Sequence, residues 1–162
     1  MERVSKENYY LNIAQTVADR GTCLRRHFGA IIVKNDVIVS TGYNGAPRGR
    51  QNCCDVGVCL REKLKIPHGE RYELCRSVHA EANAIIAASR EQMLDSTLYL
   101  ACVDPHTKQV LGGTTSCSMC RRMIINAGIS RVVIRESDTE FSVVPVRNWI
   151  LNDDSMGEKY ED

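Results

Sequence analysis

Ser77-Val78-His79-Ala80-Glu81-Ala82-Asn83-Ala84-Ile85-Ile86 is the stretch around which this chain is organised. It sets His-Ala-Glu at the mouth of an apolar, helix-forming run. On its own the tripeptide carries little, because a histidine at a helix start is most often structural. Cys117-Ser118-Met119-Cys120 changes its meaning. One imidazole and two thiolates make three ligands for a tetrahedral zinc and leave the fourth place open for water. Cys117 and Cys120 are three apart on an expected helix and point the same way, and the positive end of that helix favours their thiolate form. Glu81 is not needed as a ligand, so it is free to move protons. A closed structural zinc would have no use for a glutamate so placed.

Length and composition narrow the surroundings of this motif. At 162 residues the chain fits one domain with a proper core, expected over 1–152. A hydrophobic fraction of 43% and a charged fraction of 25% are ordinary for a soluble globular protein. No apolar run approaches membrane-spanning length and the first residues have no signal-peptide pattern, so no membrane partner is expected and cytoplasm is the default location. A net charge of +1 gives no general attraction for nucleic acid, which favours a small-molecule substrate. Eight cysteines in a reducing compartment read better as metal ligands than as disulfides.

Outward from the motif, Ser5 to Arg20 has helical spacing with Ser5 as cap and Gly21 as terminator. Phe28 to Val33 and Val37 to Thr41 are β-rich runs joined by the hairpin signal Asn35-Asp36. From 43 to 76 the periodicity fades while Gly, Pro, Asn and Cys accumulate, the mark of a functional or metal-stapled loop insertion. His79 to Arg90 reads as one helix, Thr97 to Val103 as a strand, and Cys117 to Asn126 as a helix capped by Ser116 or its neighbour and ended by Gly128. Arg131 to Arg135 and Phe141 to Val146 read as strands. The tail, 153–162, is acidic and expected to fray. The order α-β-β-α-β-α-β-(β) predicts a mixed sheet flanked by helices, with both motifs at helix N-termini facing each other.

The chemistry follows from the ligand set. Zinc lowers the pKa of bound water to about 7, so hydroxide is available at neutral pH. Hydrolytic deamination then needs one group to take the water proton, protonate the ring nitrogen and deliver a proton to departing ammonia. Glu81 within hydrogen-bond reach of that water can do all three. Attack on C4 of a cytosine ring, giving uracil and ammonia, is the expected reaction, in keeping with the H-x-E…C-x-x-C arrangement of nucleobase deaminases.

His79-Ala80-Glu81 with Cys117-x-x-Cys120, Phe28-Gly29-Ala30-Ile31-Ile32-Val33, and Thr41-Gly42-Tyr43-Asn44-Gly45-Ala46-Pro47 together resemble the deoxycytidylate (dCMP) deaminase family, from about Thr22 to Arg135. The resemblance implies a cytidine-deaminase-like three-layer α/β/α sandwich with a roughly five-stranded mixed sheet. It also implies conversion of dCMP to dUMP, a homo-oligomer with a hexamer favoured, and dCTP and dTTP as effectors. By that similarity Asn44 would bond the nucleotide; from the residues alone it is equally a turn residue in an Asn-Gly step. Arg25 and Arg26 stand where the family places polar or basic residues near the 5′-phosphate, and paired arginines suit bidentate phosphate binding, although such a pair is also common on solvated loops. Arg48, Arg50, Arg121 and Arg122 are weaker candidates for the same role.

The resemblance further implies a second, structural zinc, with Cys23, Cys53 and Cys75 as ligands, Cys59 as the fourth, and His68 or Cys54 as substitutes for it. Such a closed site would staple the long loop. Cys102 reads as plain core. Two departures from the family stand out. Ser116 occupies the usual proline place before the first catalytic cysteine, and the 102–116 stretch is long, with a hairpin tip at Asp104-Pro105-His106-Thr107-Lys108-Gln109. That stretch leaves other substrates open, among them cytidine, guanine or a tRNA adenosine. A zinc module without activity, serving assembly, is the remaining alternative.

Overall fold

Three strands at the centre of the molecule bury both of their faces: β1 (His27–Lys34), β3 (Thr97–Val103) and β4 (Arg131–Arg135). The computed structural model describes residues 1–153. With β2 (Val37–Tyr43) and β5 (Phe141–Pro145) these strands form a five-stranded sheet in the order β2-β1-β3-β4-β5. Only β3 and β4 run parallel, so the sheet is mixed.

The period of two along each strand sorts the core into two layers. Ala30, Ile32, Leu98, Leu100, Val132 and Ile134 face one side, where Ala80, Ala84, Ile124 and Ala127 pack on them. Ile31, Val33, Tyr99, Ala101 and Val133 face the other, against Tyr10, Leu11 and Ala14. The first layer belongs to α4 (Ala80–Ile86) and α6 (Ser118–Ala127), the second to α1 (Lys6–Ala18). This is the expected α/β/α sandwich. Each fully buried Leu, Ile or Val contributes about 1.5–3 kcal/mol, which makes the sheet the rigid platform for whatever the helix ends carry.

Local sequence explains most boundaries. Ser5 caps α1 by accepting from the Asn8 N–H. Asn35 and Asp36 both take positive φ, 51° and 63°, as a two-residue hairpin turn needs. Gly128 ends α6 in the left-handed conformation at φ 81°. The helix expected over His79–Arg90 is instead two. α4 stops at Ile86, and Ser89 with Gln92 forms a capping box that starts α5 (Arg90–Met93). Helix α1 ends at Ala18, short of Gly21, and after Pro145 the chain turns into α7 (Val146–Leu151), which carries no clear sequence signal.

Within the long 43–76 segment lie α2 (Cys53–Val56), α3 (Leu60–Lys63) and a 3-10 turn at Tyr72–Leu74. These are too short to leave a periodic trace. The 102–116 stretch folds back on β3, with Val110 bridged to Val103 and Leu111 N–H donating to the Cys102 carbonyl. The acidic tail falls, but for the exposed Asp153, outside the described residues.

Candidate active site

His79 and Cys117 each occupy the position just before a helix, as N-caps of α4 and α6. Two contacts fix the first of these ends. Gly45 and Val78 exchange backbone hydrogen bonds of 3.1 and 2.7 Å, and Asn83 Nδ2 donates to the Tyr43 carbonyl at 2.8 Å. Gly42 lets α4 cross β2 at very close range, since a Cβ there would lie 2.3 Å from the Ala80 carbonyl oxygen. The Gly-Tyr-Asn-Gly stretch thus ties the sheet to the helix that carries His79 and Glu81.

The second end is fixed by its own cap. The Cys117 sulfur accepts the Cys120 N–H at 3.5 Å. His79 Nδ1 lies 3.5 Å from the Cys117 sulfur and 3.5 Å from the Cys120 sulfur. A tetrahedral zinc with bonds of about 2.0 Å to nitrogen and about 2.3 Å to sulfur needs an N···S edge of about 3.5 Å. These three residues therefore fit the metal by geometry as well as by donor type. They are the one group of ligand-type side chains drawn to such separations among the described residues.

The titration of the cluster points the same way. Cys117 accepts from the Cys120 thiol and from His79, which hold it down to about 4 although burial opposes this. Cys120, which gives its proton to Cys117 and is buried, is pushed up. Burial works against charge on His79, yet hydrogen bonds to Cys117 and Cys75, with Glu81 nearby, carry it up to about 10. A cation is favoured at this spot, and a bound dication would replace the protons. Burial raises the Glu81 carboxyl above the ordinary carboxylate range, against the pull of His79. Glu81 is 4% exposed and is not one of the clustered ligand-type side chains.

A cavity of about 360 Å³ opens on this cluster. His79, Ala80, Glu81 and Cys117 line its floor, and Asn44, Arg25, Arg26, Arg61, Tyr72 and Arg121 are among its walls. The 102–116 stretch returns through Gly113, Thr114, Thr115 and Ser116 to form another wall. Asn44 is buried and its amide is already engaged, Oδ1 accepting from Phe28 N–H and Nδ2 donating to the Arg26 carbonyl, both at 2.9 Å. Arg25 is exposed and ion-paired with Glu62 at 3.0 Å, while Arg26 is half-buried. Arg121 donates to the Ser116 carbonyl and lies over Trp149, so it braces the loop before Cys117. Arg48, Arg50 and Arg122 are exposed and do not line this cavity.

Of the second cysteine set, Cys23, Cys59 and Cys75 face the same cavity, and Cys53 is buried with its sulfur 3.9 Å from the Ser77 hydroxyl. Burial, and then the neighbouring Cys23, Cys75 and Cys59, push the Cys53 thiol up. The set converges without closing to the separations of the His79, Cys117 and Cys120 cluster. His68 lines the cavity, Cys54 is exposed, and Cys102 is fully buried on β3 with its thiol pushed up to about 12 by burial. Sequence reasoning missed Arg61 and Tyr72. A buried arginine within Arg-Glu-Lys leaves no local signal.

A family model described as the cytidine and deoxycytidylate deaminase zinc-binding region matches residues 4–136. The chain belongs to this family.

Among other members, the deoxycytidylate deaminase of Mycobacterium phage D29 is 36% identical over 138 residues, 82% of this chain and 96% of that protein. The deoxycytidylate deaminase of Schizosaccharomyces pombe is 33% identical over 135 residues, 83% of this chain. The chain spans 38% of that yeast protein's length, against nearly all of the phage one. Among solved structures, the dCMP deaminase of cyanophage S-TIM5 in complex with dCMP and dUMP superimposes with a TM-score of 0.54 at 26% identity, covering 83% of this chain and 85% of that one. The family's matched region is a zinc-binding one, and the group His79, Cys117 and Cys120, which could hold a metal ion, lies within it.

Proposed function

We propose that this deaminase hydrolyses dCMP to dUMP and ammonia, with Glu81 carrying the protons. The observation that supports it most is the buried Glu81 carboxyl beside a three-ligand cluster at the floor of a cavity of about 360 Å³. That volume is in the range of small-molecule sites. Zinc held by His79, Cys117 and Cys120 supplies a water acidified to a pKa of about 7. Glu81 takes a proton from water and donates it to N3 of the base as the C4–O bond forms. It then takes the proton of the new C4 hydroxyl and passes it to the exocyclic nitrogen, so that C4–N breaks to release ammonia and leave the C4 carbonyl. The carboxyl's raised pKa suits a group that must be both base and acid near neutrality.

The remaining parts of the reading rest on the same cavity. Arg26, Arg25 and Asn44 line it, and we assign them to the phosphate and sugar of the nucleotide. A second, structural zinc drawing together Cys23, Cys53, Cys59 and Cys75 would staple the 43–76 insertion into a single deaminase domain over 1–152. The mutual electrostatic effect of these sulfurs on Cys53 supports that assignment. A homo-oligomer is supported by the free edge of β2, where Val37, Ile38 and Tyr43 stand exposed, together with Ile86 on α4. The effectors to try are those the family resemblance implies, dCTP and dTTP. No helix among the described residues is long and apolar enough to cross a membrane, and free cysteines suit a reducing cytoplasm.

The test is ammonia release from dCMP, deoxycytidine, cytidine and guanine by the zinc-loaded protein, with metal counted per chain. dCMP turned over fastest, with dUMP as product and two zinc per chain, is the expected result. Equal rates on deoxycytidine would remove the nucleotide assignment, and a ratio of one zinc would remove the second site while leaving the first.

A further inference from the structure

The loop between Cys59 and Cys75 forms one side of the cavity above the metal ligands, and its one residue below a tenth exposure is an arginine. Arg61 is 4% exposed. Its Nη2 donates to the Pro67 carbonyl at 2.9 Å and to the Glu70 carbonyl at 2.7 Å, and its Nε donates to Glu70 at 3.2 Å. Those carbonyls, rather than any ion pair, hold the buried charge among the described residues. The guanidinium also lies over the Tyr72 ring, 4.3 Å from its centroid. Tyr72 in turn meets the His79 imidazole edge to face, with centroids 5.0 Å apart and planes at 82°. Guanidinium, phenol and imidazole thus form one continuous train, whose far end is the Nδ1 that faces both cysteine sulfurs.

A histidine ring needs such a support. Rotation about its outer torsion is broad and roughly two-fold, so the backbone of α4 sets where the imidazole starts but not which way its nitrogens point. Metal-binding imidazoles are normally oriented by an outer partner, and loss of that partner typically costs 10–100-fold in metal affinity or activity. Beside the hydrogen bond His79 makes to Cys75, the phenol ring of Tyr72 supplies that support through its edge-to-face contact, and Arg61 is what keeps the phenol from swinging away.

We propose that Arg61 and Tyr72 are positioning residues for the catalytic metal: the guanidinium fixes the phenol ring, and the ring fixes the His79 imidazole in its ligating orientation. The long loop then has a share in metal retention at the catalytic cluster. The inference rests on His79, Cys117 and Cys120 as metal ligands and makes no use of dCMP as the substrate.

The experiment uses the full zinc-loaded chain and the variants Tyr72→Leu, Tyr72→Phe, Arg61→Leu and Arg61→Lys. Zinc release into a colorimetric chelator is followed, and the release phase that vanishes in His79→Ala is scored as the catalytic site. Absorption of the cobalt-substituted proteins reports ligand geometry, and kcat and KM are measured beside them. Tyr72→Leu is expected to release that zinc about tenfold faster or more, with shifted cobalt bands, while Tyr72→Phe matches wild type because the ring and not the hydroxyl is used. Arg61→Leu follows Tyr72→Leu, Arg61→Lys fails to restore the wild-type rate, and the double variant Arg61→Leu/Tyr72→Leu is no worse than Tyr72→Leu alone. Wild-type release and cobalt bands in Tyr72→Leu would overturn the proposal even if its thermal stability fell. Additive losses in the double variant would break the train between the two residues. If Arg61→Leu does not fold, the Tyr72 pair decides. Failure of wild type to turn over dCMP would sink the assigned reaction and leave these metal readouts standing.

Discussion

Replacing Gly42 by alanine tests the link between the sheet and the site. The new Cβ would sit 2.3 Å from the Ala80 carbonyl oxygen, 2.4 Å from the Ala84 nitrogen and 3.0 Å from the Asn83 carbonyl carbon. All three are backbone atoms of α4 or its bonds, so no side-chain rotation relieves them. An ordinary contact begins near 3.4 Å, so the helix must retreat by about 1 Å. That retreat pulls on the Ser40 hydroxyl bond to the Ala84 carbonyl and on the Asn83 bond to Tyr43, both 2.8 Å. Overpacking of this kind costs about 1–3 kcal/mol. In a domain of this size that lowers Tm by about 2–4 °C for each kcal/mol. The larger effect is catalytic. α4 carries His79 and Glu81, and a misplacement of about 1 Å can cost about 10²-fold in rate. Urea denaturation, zinc content and steady-state ammonia release from dCMP on Gly42→Ala measure all of this. Unchanged stability and an unchanged rate would refute the reasoning, because they would mean that α4 does not rest on β2 as closely as described.

Two further outcomes follow from the same structure. Arg26→Gln is expected to raise KM for dCMP by about tenfold or more, the loss of one hydrogen bond to a charged group, and to leave deoxycytidine kinetics nearly unchanged; equal effects on both would move the phosphate site elsewhere. The Tyr10 hydroxyl donates to Asp36, which joins α1 to the β1–β2 turn. Hydrogen bonds from Tyr10 and then Lys6 lower the Asp36 carboxyl, so its share of stability is present above the ordinary carboxyl range and is lost as pH falls through the lowered value. The bond to Asp36, then burial, raise Tyr10 to about 12, so its share is present below about 10 and is lost as pH rises through about 12. The excess stability of wild type over Tyr10→Phe in denaturant titrations should therefore be a plateau that falls away at both ends; a flat difference across pH would contradict the pairing.

The parts of the molecule that local physics decides were legible in the sequence. Thr97–Val103 and Arg131–Arg135 were readable as strands because runs rich in apolar and β-branched residues suit positions buried on both faces. Asn35-Asp36 was readable as a turn because few other dipeptides accept positive φ twice. The clustering of His79, Cys117 and Cys120 was legible because metal chemistry restricts both residue type and spacing. Decisions made by distant partners were not legible. The break after Ile86 depends on a cap at Ser89 that competes with a continuing apolar pattern. Arg61 looks like a solvated helix charge, and only the carbonyls of Pro67 and Glu70 make it a buried one. Asn44 was readable either as a turn or as a contact, and the amide's two backbone bonds to the start of β1 explain why that residue serves there before any ligand arrives.

Glu81→Gln tests the proton carrier most directly. The amide keeps the size of the carboxyl but cannot accept and return a proton. With dCMP as substrate and zinc counted in the same sample, the variant should hold as much metal as wild type while turnover falls by about 10²–10⁴-fold. Near-wild-type turnover in a fully metallated Glu81→Gln protein would contradict the account.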